Sequence, residues 1–243
     1  MRCARLSAAV ALAIFFVDGA AAQIPTSSAE VRRRPADPSR AELARSDQVF
    51  RDMVGCVIGR ATSRTRNLLD TIPGTPEEGR ILSSFDSRMQ SCFDNYRLGG
   101  DAMSFATNLF RGVAAEIYYG QEFPAGIAPA AEIAAETMTA WAGPRLVDGR
   151  ATRSEMLHAM ARCVIVRQPA AVAAMLRTIP ISDEERVAMR ALSPELGACL
   201  DSGVEFTASP QSLRGLLAEA TLHYAEALRT GFARVDRGSV GSE

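Results

Sequence analysis

CVIGRATSRTRNLLDTIPGTPEEGRILSSFDSRMQSCFD, residues 56–94, and CVIVRQPAAVAAMLRTIPISDEERVAMRALSPELGACLD, residues 163–201, read as one stretch written twice. At an offset of 107 residues, Cys56-Val57-Ile58 falls on Cys163-Val164-Ile165 and Arg60 on Arg167. In the same register Leu69, Thr71-Ile72-Pro73, Glu77-Glu78, Cys92 and Asp94 fall on Leu176, Thr178-Ile179-Pro180, Glu184-Glu185, Cys199 and Asp201, giving 12 identities over the 40 positions from 56 to 95. Chance would give only a few. After a four-residue shift, Arg111-Gly112-Val113-Ala114-Ala115-Glu116 meets Arg214-Gly215-Leu216-Leu217-Ala218-Glu219, so both stretches close on Arg-Gly-x-x-Ala-Glu. A self-match of this length identifies a duplicated unit.

Each unit reads as helical. Val49, Phe50, Met53, Val54, Val57 and Ile58 recur at helical spacing, and Met156, Leu157, Met160, Ala161, Val164 and Ile165 repeat the stripe, as expected of a face kept for burial. Pro169 lacks an amide donor, so the helix is expected to break near residue 168, with a short second helix running to Thr178. Thr75-Pro76-Glu77-Glu78 and Ser182-Asp183-Glu184-Glu185 read as capping boxes, the hydroxyl capping and the Glu three residues on reaching back. The Arg-Gly-x-x-Ala-Glu helix is expected to open near Asp101 in the first unit and at Ser209-Pro210 in the second. No segment alternates with period two. The expected class is all-α: two tandem, roughly four-helix units at 41–120 and 152–230, joined by a partly helical connector at 121–151 with a short helix from Pro129 to Trp141.

The flanks carry different signals. Arg2 and Arg5, the apolar run Leu6 to Val17 and Ala20-Ala21-Ala22 form an export signal over 1–22, with cleavage expected near Ala22. Residues 23–40 and 231–243 read as disordered ends. The mature chain is therefore expected in the periplasm or secreted, without an integral membrane segment, since the apolar run is far shorter than the roughly 20 residues a spanning helix needs. Hydrophobic residues make up 47% of the chain and charged residues 23%, which excludes wholesale disorder. A formal net charge of -1 gives no global attraction for nucleic acid. All 27 basic residues are Arg; this skew is read as genome composition, and the Arg32-Arg33-Arg34 run as a solvated arm.

Once Cys3 leaves with the signal, four cysteines remain, Cys56, Cys92, Cys163 and Cys199, and they admit three pairings. Duplication favours a bond inside each unit, Cys56 with Cys92 and Cys163 with Cys199. A redox role would need closely spaced thiols stabilised by a helix N-terminus, a spacing this chain lacks.

In the repeated motif the small residues at Gly215 and Ala218 share a face with Glu219, so a neighbouring helix can come close and a buried Glu219 must find a partner. Arg214 lies about 140° around the helix from Glu219, so that partner is expected from another helix. Arg60, Arg111, Arg167 and Arg214 are the candidate cations, and Glu116 faces the same demand. These six residues read as structural ion pairs. His158 replaces Arg51 and reads as exposed; His223, four residues after Glu219, could form an acid/base pair with it. With two histidines, no nucleophile elbow, no phosphate loop and no haem motif, no catalytic residue, metal or cofactor is assigned.

Cys-Val-x-x-Arg, the Thr/Ser-x-Glu-Glu turn, the second Cys and Arg-Gly-x-x-Ala-Glu together resemble a group of uncharacterised exported helical proteins of alphaproteobacteria. The likeness spans roughly residues 45–120 and 152–230. It implies export and a helical fold, and carries no activity. The expected role is a non-catalytic structural or interaction module, binding an envelope protein or small ligand. The alternatives are a periplasmic hydrolase using Glu219 with His223, and a thiol-dependent redox or stress protein.

Overall fold

Ser39 caps the first described helix: its hydroxyl accepts the Glu42 amide, and the Glu42 carboxylate takes the Ser39 amide at 2.7 Å. This full capping box opens α1, Arg40–Asp70, so the helix begins at the last residue of the stretch expected to be disordered. The computed structural model describes residues 38–85, 91–92, 107–127, 135–143, 150–200 and 208–231. The expected signal segment, most of the N-terminal arm, the tail beyond Gly231 and much of the connector lie outside them.

The other helices are α2, Pro76–Ser83; α3, Thr107–Glu122; α4, Ala135–Ala142; α5, Arg153–Arg167; α6, Pro169–Leu176; α7, Asp183–Ala198; and α8, Pro210–Thr230. No strand occurs among the described residues. Helix α5 ends as expected at Gln168 (φ -136°, ψ 53°), where Pro169 takes the first position of α6, and the two helices meet at 108°. The same backbone turn lies inside α1 at Ala61 (φ -143°, ψ 40°), 107 residues earlier and without a proline. The sequence has no proline there to announce the bend.

Thr75 and Ser182 cap α2 and α7 as expected, accepting the amides of Glu78 and Glu185. The reciprocal half of each box differs from expectation. Glu78 reaches past the cap to the amide of Gly74 at 2.6 Å, and Glu185 past its cap to that of Ile181 at 2.5 Å. The second oxygen of each carboxylate is held elsewhere, as described below, and this draws the side chain one residue beyond the cap.

Among the described residues one core runs through both repeated stretches. Met53, Val54, Val57, Phe85, Phe110, Val164, Ile165, Met175, Leu192 and Leu217 belong to one buried apolar cluster. Its centre is the crossing of α3 and α8; α1 packs on α3, and α5 and α6 pack on α8. The two disulfides form as expected. Cys56 joins Cys92 with Cα atoms 6.0 Å apart, and Cys163 joins Cys199 at 5.7 Å. Each closes a loop of 36 residues, worth about 3–4 kcal/mol on the chain-entropy scale. No single described helix is long and apolar enough to cross a membrane.

Candidate functional site: a reciprocal arginine–glutamate cross

The α3/α8 crossing is possible because Gly112 and Gly215 face each other. A Cβ on Gly112 would lie 2.8 Å from the carbonyl carbon of Gly215, and one on Gly215 would lie 3.1 Å from the Cα of Gly112. Small residues at a helix crossing let the backbones approach, as the motif implied. This approach brings the Arg and Glu of each motif to opposite sides of the same contact.

Arg111 of α3 is 1% exposed. Its Nε lies 3.2 Å from both Glu219 oxygens and its Nη2 also donates to Glu219. Nη1 donates to the Leu68 carbonyl at 2.6 Å, the Thr71 hydroxyl at 2.9 Å and Glu78 at 3.1 Å; Nη2 reaches the carbonyls of Leu69 and Thr71. Arg214 of α8 repeats the pattern. Its Nε and Nη2 donate to Glu116 at 3.0 and 2.7 Å, and its Nη1 to Glu185 at 2.8 Å, the Thr178 hydroxyl and the Met175 carbonyl. Nη2 also donates to the carbonyls of Leu176 and Thr178.

Leu68, Leu69 and Thr71 lie 107 residues before Met175, Leu176 and Thr178, so the two arginines bind offset-related acceptors. Leu68 and Leu69, and Met175 and Leu176, carry carbonyls of the last turns of α1 and α6, at the negative dipole end of each helix, and those of Leu68 and Met175 also accept the amides of Thr71 and Thr178. A planar guanidinium fork suits them. Glu219 therefore draws its cation from another helix, as expected, and Arg214 serves Glu116 instead. Arg60 and Arg167 stay outside the cross: Arg60 donates to the Ser91 hydroxyl at 2.5 Å, and exposed Arg167 pairs with Glu195 at 2.6 Å. Glu78, Glu185, Thr71 and Thr178 belong to the cross, although the sequence marks the glutamates only as cap partners and the threonines only as matched positions. Their identity between the two stretches was the available signal.

The surroundings of the two carboxylates differ. Glu116 also takes Arg51 at 2.9 Å, and Arg51 is itself held by Asp47. At the offset-related position, His158 places Nε2 3.4 Å from Glu219. His158 is 7% exposed, which corrects the expectation of a surface substitution: the position lies against the cross, and both residue types can present an N–H there. His223, with 27% of its side chain exposed, sits 3.8 Å from Glu219 and 3.6 Å from Glu226. Arg66 then joins Glu226 at 2.6 Å to Glu122, and its guanidinium lies 4.1 Å from the Tyr118 ring centroid.

Burial works against the charge of Glu219, but Arg111 and His158 outweigh it and hold the carboxyl well below the ordinary 4.5. Burial likewise opposes the charged forms of Arg111 and Arg214, and their carboxylate partners raise both. His223 is raised above its ordinary 6.5, because hydrogen bonding and attraction from Glu219 and Glu226 exceed the cost of desolvation. A carboxylate so strongly committed to its anion is a weak proton acceptor. Among the described residues no group of three or more His, Cys, Asp or Glu side chains is placed to hold a metal ion. What the arrangement can do is lock two helices in register. No family model, curated protein or solved structure matches this chain.

Proposed function

We propose that this chain is a duplicated, disulfide-stapled helical module that acts outside the cytosol as a non-catalytic structural or interaction protein of the envelope, engaging a protein or small ligand. The observation that carries the reading is the saturation of both motif arginines inside the fold. Every guanidinium nitrogen of Arg111 and Arg214 has a carboxylate, hydroxyl or carbonyl partner, at offset-related residues in the two halves. A group so occupied holds structure and has no donor left for a substrate. The recurrence supports duplication: one four-helix unit whose Arg-Gly-x-x-Ala-Glu helix exchanged carboxylates with its copy. Two disulfides support an oxidising compartment, and the apolar run before Ala22 supports export.

The test uses wild-type protein and its Glu219→Gln and His223→Gln variants, with disulfides intact, against chromogenic esters, phosphoesters, glycosides and peptides. No turnover above the buffer blank is expected from any of them. Wild-type turnover that disappears in a folded Glu219→Gln or His223→Gln variant would establish the hydrolase instead. Fractionation of cells producing the full chain, with intact-mass analysis of the product, should find a chain starting at Gln23 with four oxidised cysteines outside the cytosol.

A further inference from the structure

The two ends of the cross are built alike except in the kind of cation that backs each carboxylate. At Glu116 that cation is Arg51, which stays charged at any physiological pH. At Glu219 the offset-related residue is His158, joined by His223 where the first half has Gly120. Glu226 and Arg66, which continue the chain of contacts from His223, likewise stand where the other half has Phe123 and Ala173. The titratable end is thus a feature of one half only.

His223 stands between two carboxylates, Glu219 3.8 Å from Nε2 and Glu226 3.6 Å from Nδ1, so a positive charge on its ring is attracted to both and a neutral ring to neither. His158 borders the same site: its Nδ1 lies 2.7 Å from the Ser154 carbonyl and its Nε2 3.4 Å from Glu219.

We infer that the Glu219 end of the α3/α8 crossing is a proton-operated clasp, tightened when His223 is protonated between Glu219 and Glu226 and loosened when it is neutral, while the Arg51-backed Glu116 end stays fixed. The groups facing the clasp come from each helix packed there. On α8 they are Glu219, His223 and Glu226; on α3, Arg111 and, through Arg66, Glu122; on α1, Arg66; on α5, His158 and, one turn before it, buried Glu155, whose carboxylate takes the Thr152 amide. Helix α6, which also packs on α8, has no titratable side chain. Arg111 and Arg66 keep their charge throughout, so Glu219 and Glu226 retain one cation each in alkali, and the loss is graded.

The sign follows from linkage. A histidine whose folded value lies above its ordinary 6.5 adds stability that is fully present below 6.5 and is lost as pH rises through the folded value. For one linked proton the folding equilibrium constant falls by up to about tenfold per pH unit within that window.

The experiment is urea unfolding of the oxidised full chain, read by far-ultraviolet circular dichroism from pH 5.5 to 8.5, for the wild type and for His223→Gln, His223→Arg and Glu226→Gln. The wild type should lose stability as pH rises. His223→Gln, which removes the titrating ring, and His223→Arg, which keeps a permanent cation there, should each flatten the profile, and Glu226→Gln, which removes one of the two anions facing His223, should make it shallower. A flat wild-type profile, or variants that shift stability equally at every pH, would overturn the clasp. If one substitution unfolds the protein, the remaining two still decide, because the predicted change lies in the slope. The result stands apart from any assay of turnover.

Discussion

Gly112 and Gly215 touch backbone to backbone, and the two faces of that contact are unequal. A side chain on Gly112 would run into the Gly215 backbone at 2.8 Å, whereas one on Gly215 would sit 3.1 Å from the Gly112 Cα, a distance that small shifts relieve. Gly112→Ala should therefore cost more than Gly215→Ala. Overpacking of about 1–3 kcal/mol is expected for Gly112→Ala, partly offset by the roughly 1 kcal/mol that alanine gains in a helix. Gly59→Ala, with nothing within 4 Å of the new atom, is the control and should stabilise. Urea midpoints of the three variants check the order; Gly112→Ala as harmless as Gly59→Ala would mean the helices do not meet there.

Removing one member of the cross leaves buried charge behind. Arg111→Met strands Glu219 and Glu78, and the expected loss is about 3–5 kcal/mol. Arg111→Met combined with Glu219→Leu should recover part of it, because the stranded carboxylate is gone. A double-mutant cycle measures the coupling, and simple additivity would contradict the pairing. Arg60→Met, at an exposed site, should change stability little.

How much of this could be read from residues alone depends on what each signal encodes. Matching the two stretches points to the cysteine pairing, the hydroxyl caps and the motif helix, because such residues serve local structure. It could not find the exchange of partners: Arg111 meets Glu219 108 residues away and Arg214 meets Glu116 98 residues away, distances set by the crossing itself. The burial of His158 is hidden from the sequence because Arg51 and histidine, compared by type, look like a tolerated surface change. Compared by the N–H each can present to a carboxylate, they are the same device. The bend at Ala61 had no proline to announce it, and only its match to Gln168 in backbone angles makes it visible.

Ile181 holds a left-handed backbone (φ 63°) that suits glycine, and Gly74 occupies the offset-related place at φ 84°. A β-branched residue there costs roughly 1–2 kcal/mol, against about 0.5–1 kcal/mol for the greater freedom glycine loses on folding. Ile181→Gly should therefore raise stability by up to about 1 kcal/mol, and Gly74→Ile should lower it. The Ile181 amide bond to Glu185 and the carbonyl bond from Arg40 use only backbone atoms, so both survive the change. Thermal unfolding of both variants checks the opposite signs, and a destabilised Ile181→Gly would show that the side chain does more there than strain the turn.

On the acid side the carboxylates govern stability, with the sign opposite to that of His223. Glu219 lies well below its ordinary 4.5, and Glu226 is lowered too, because burial is outweighed by His223 and Arg66. A depressed carboxylate contributes stability that is present above its unfolded value and is lost as pH falls through the folded one. The wild type should therefore lose stability below about pH 4.5 as the unfolded chain takes up protons that folded Glu219 and Glu226 resist. Glu219→Gln removes one of those uptake sites. It should be less stable at pH 6, since Arg111 then faces a neutral amide, yet its stability should fall less steeply from pH 4.5 to 3. Urea unfolding at half-unit pH intervals gives both slopes. Equal slopes would mean that Glu219 is not a committed anion in the folded protein, and the cross would then owe its register to the glycine contact and the Arg-to-carbonyl bonds alone.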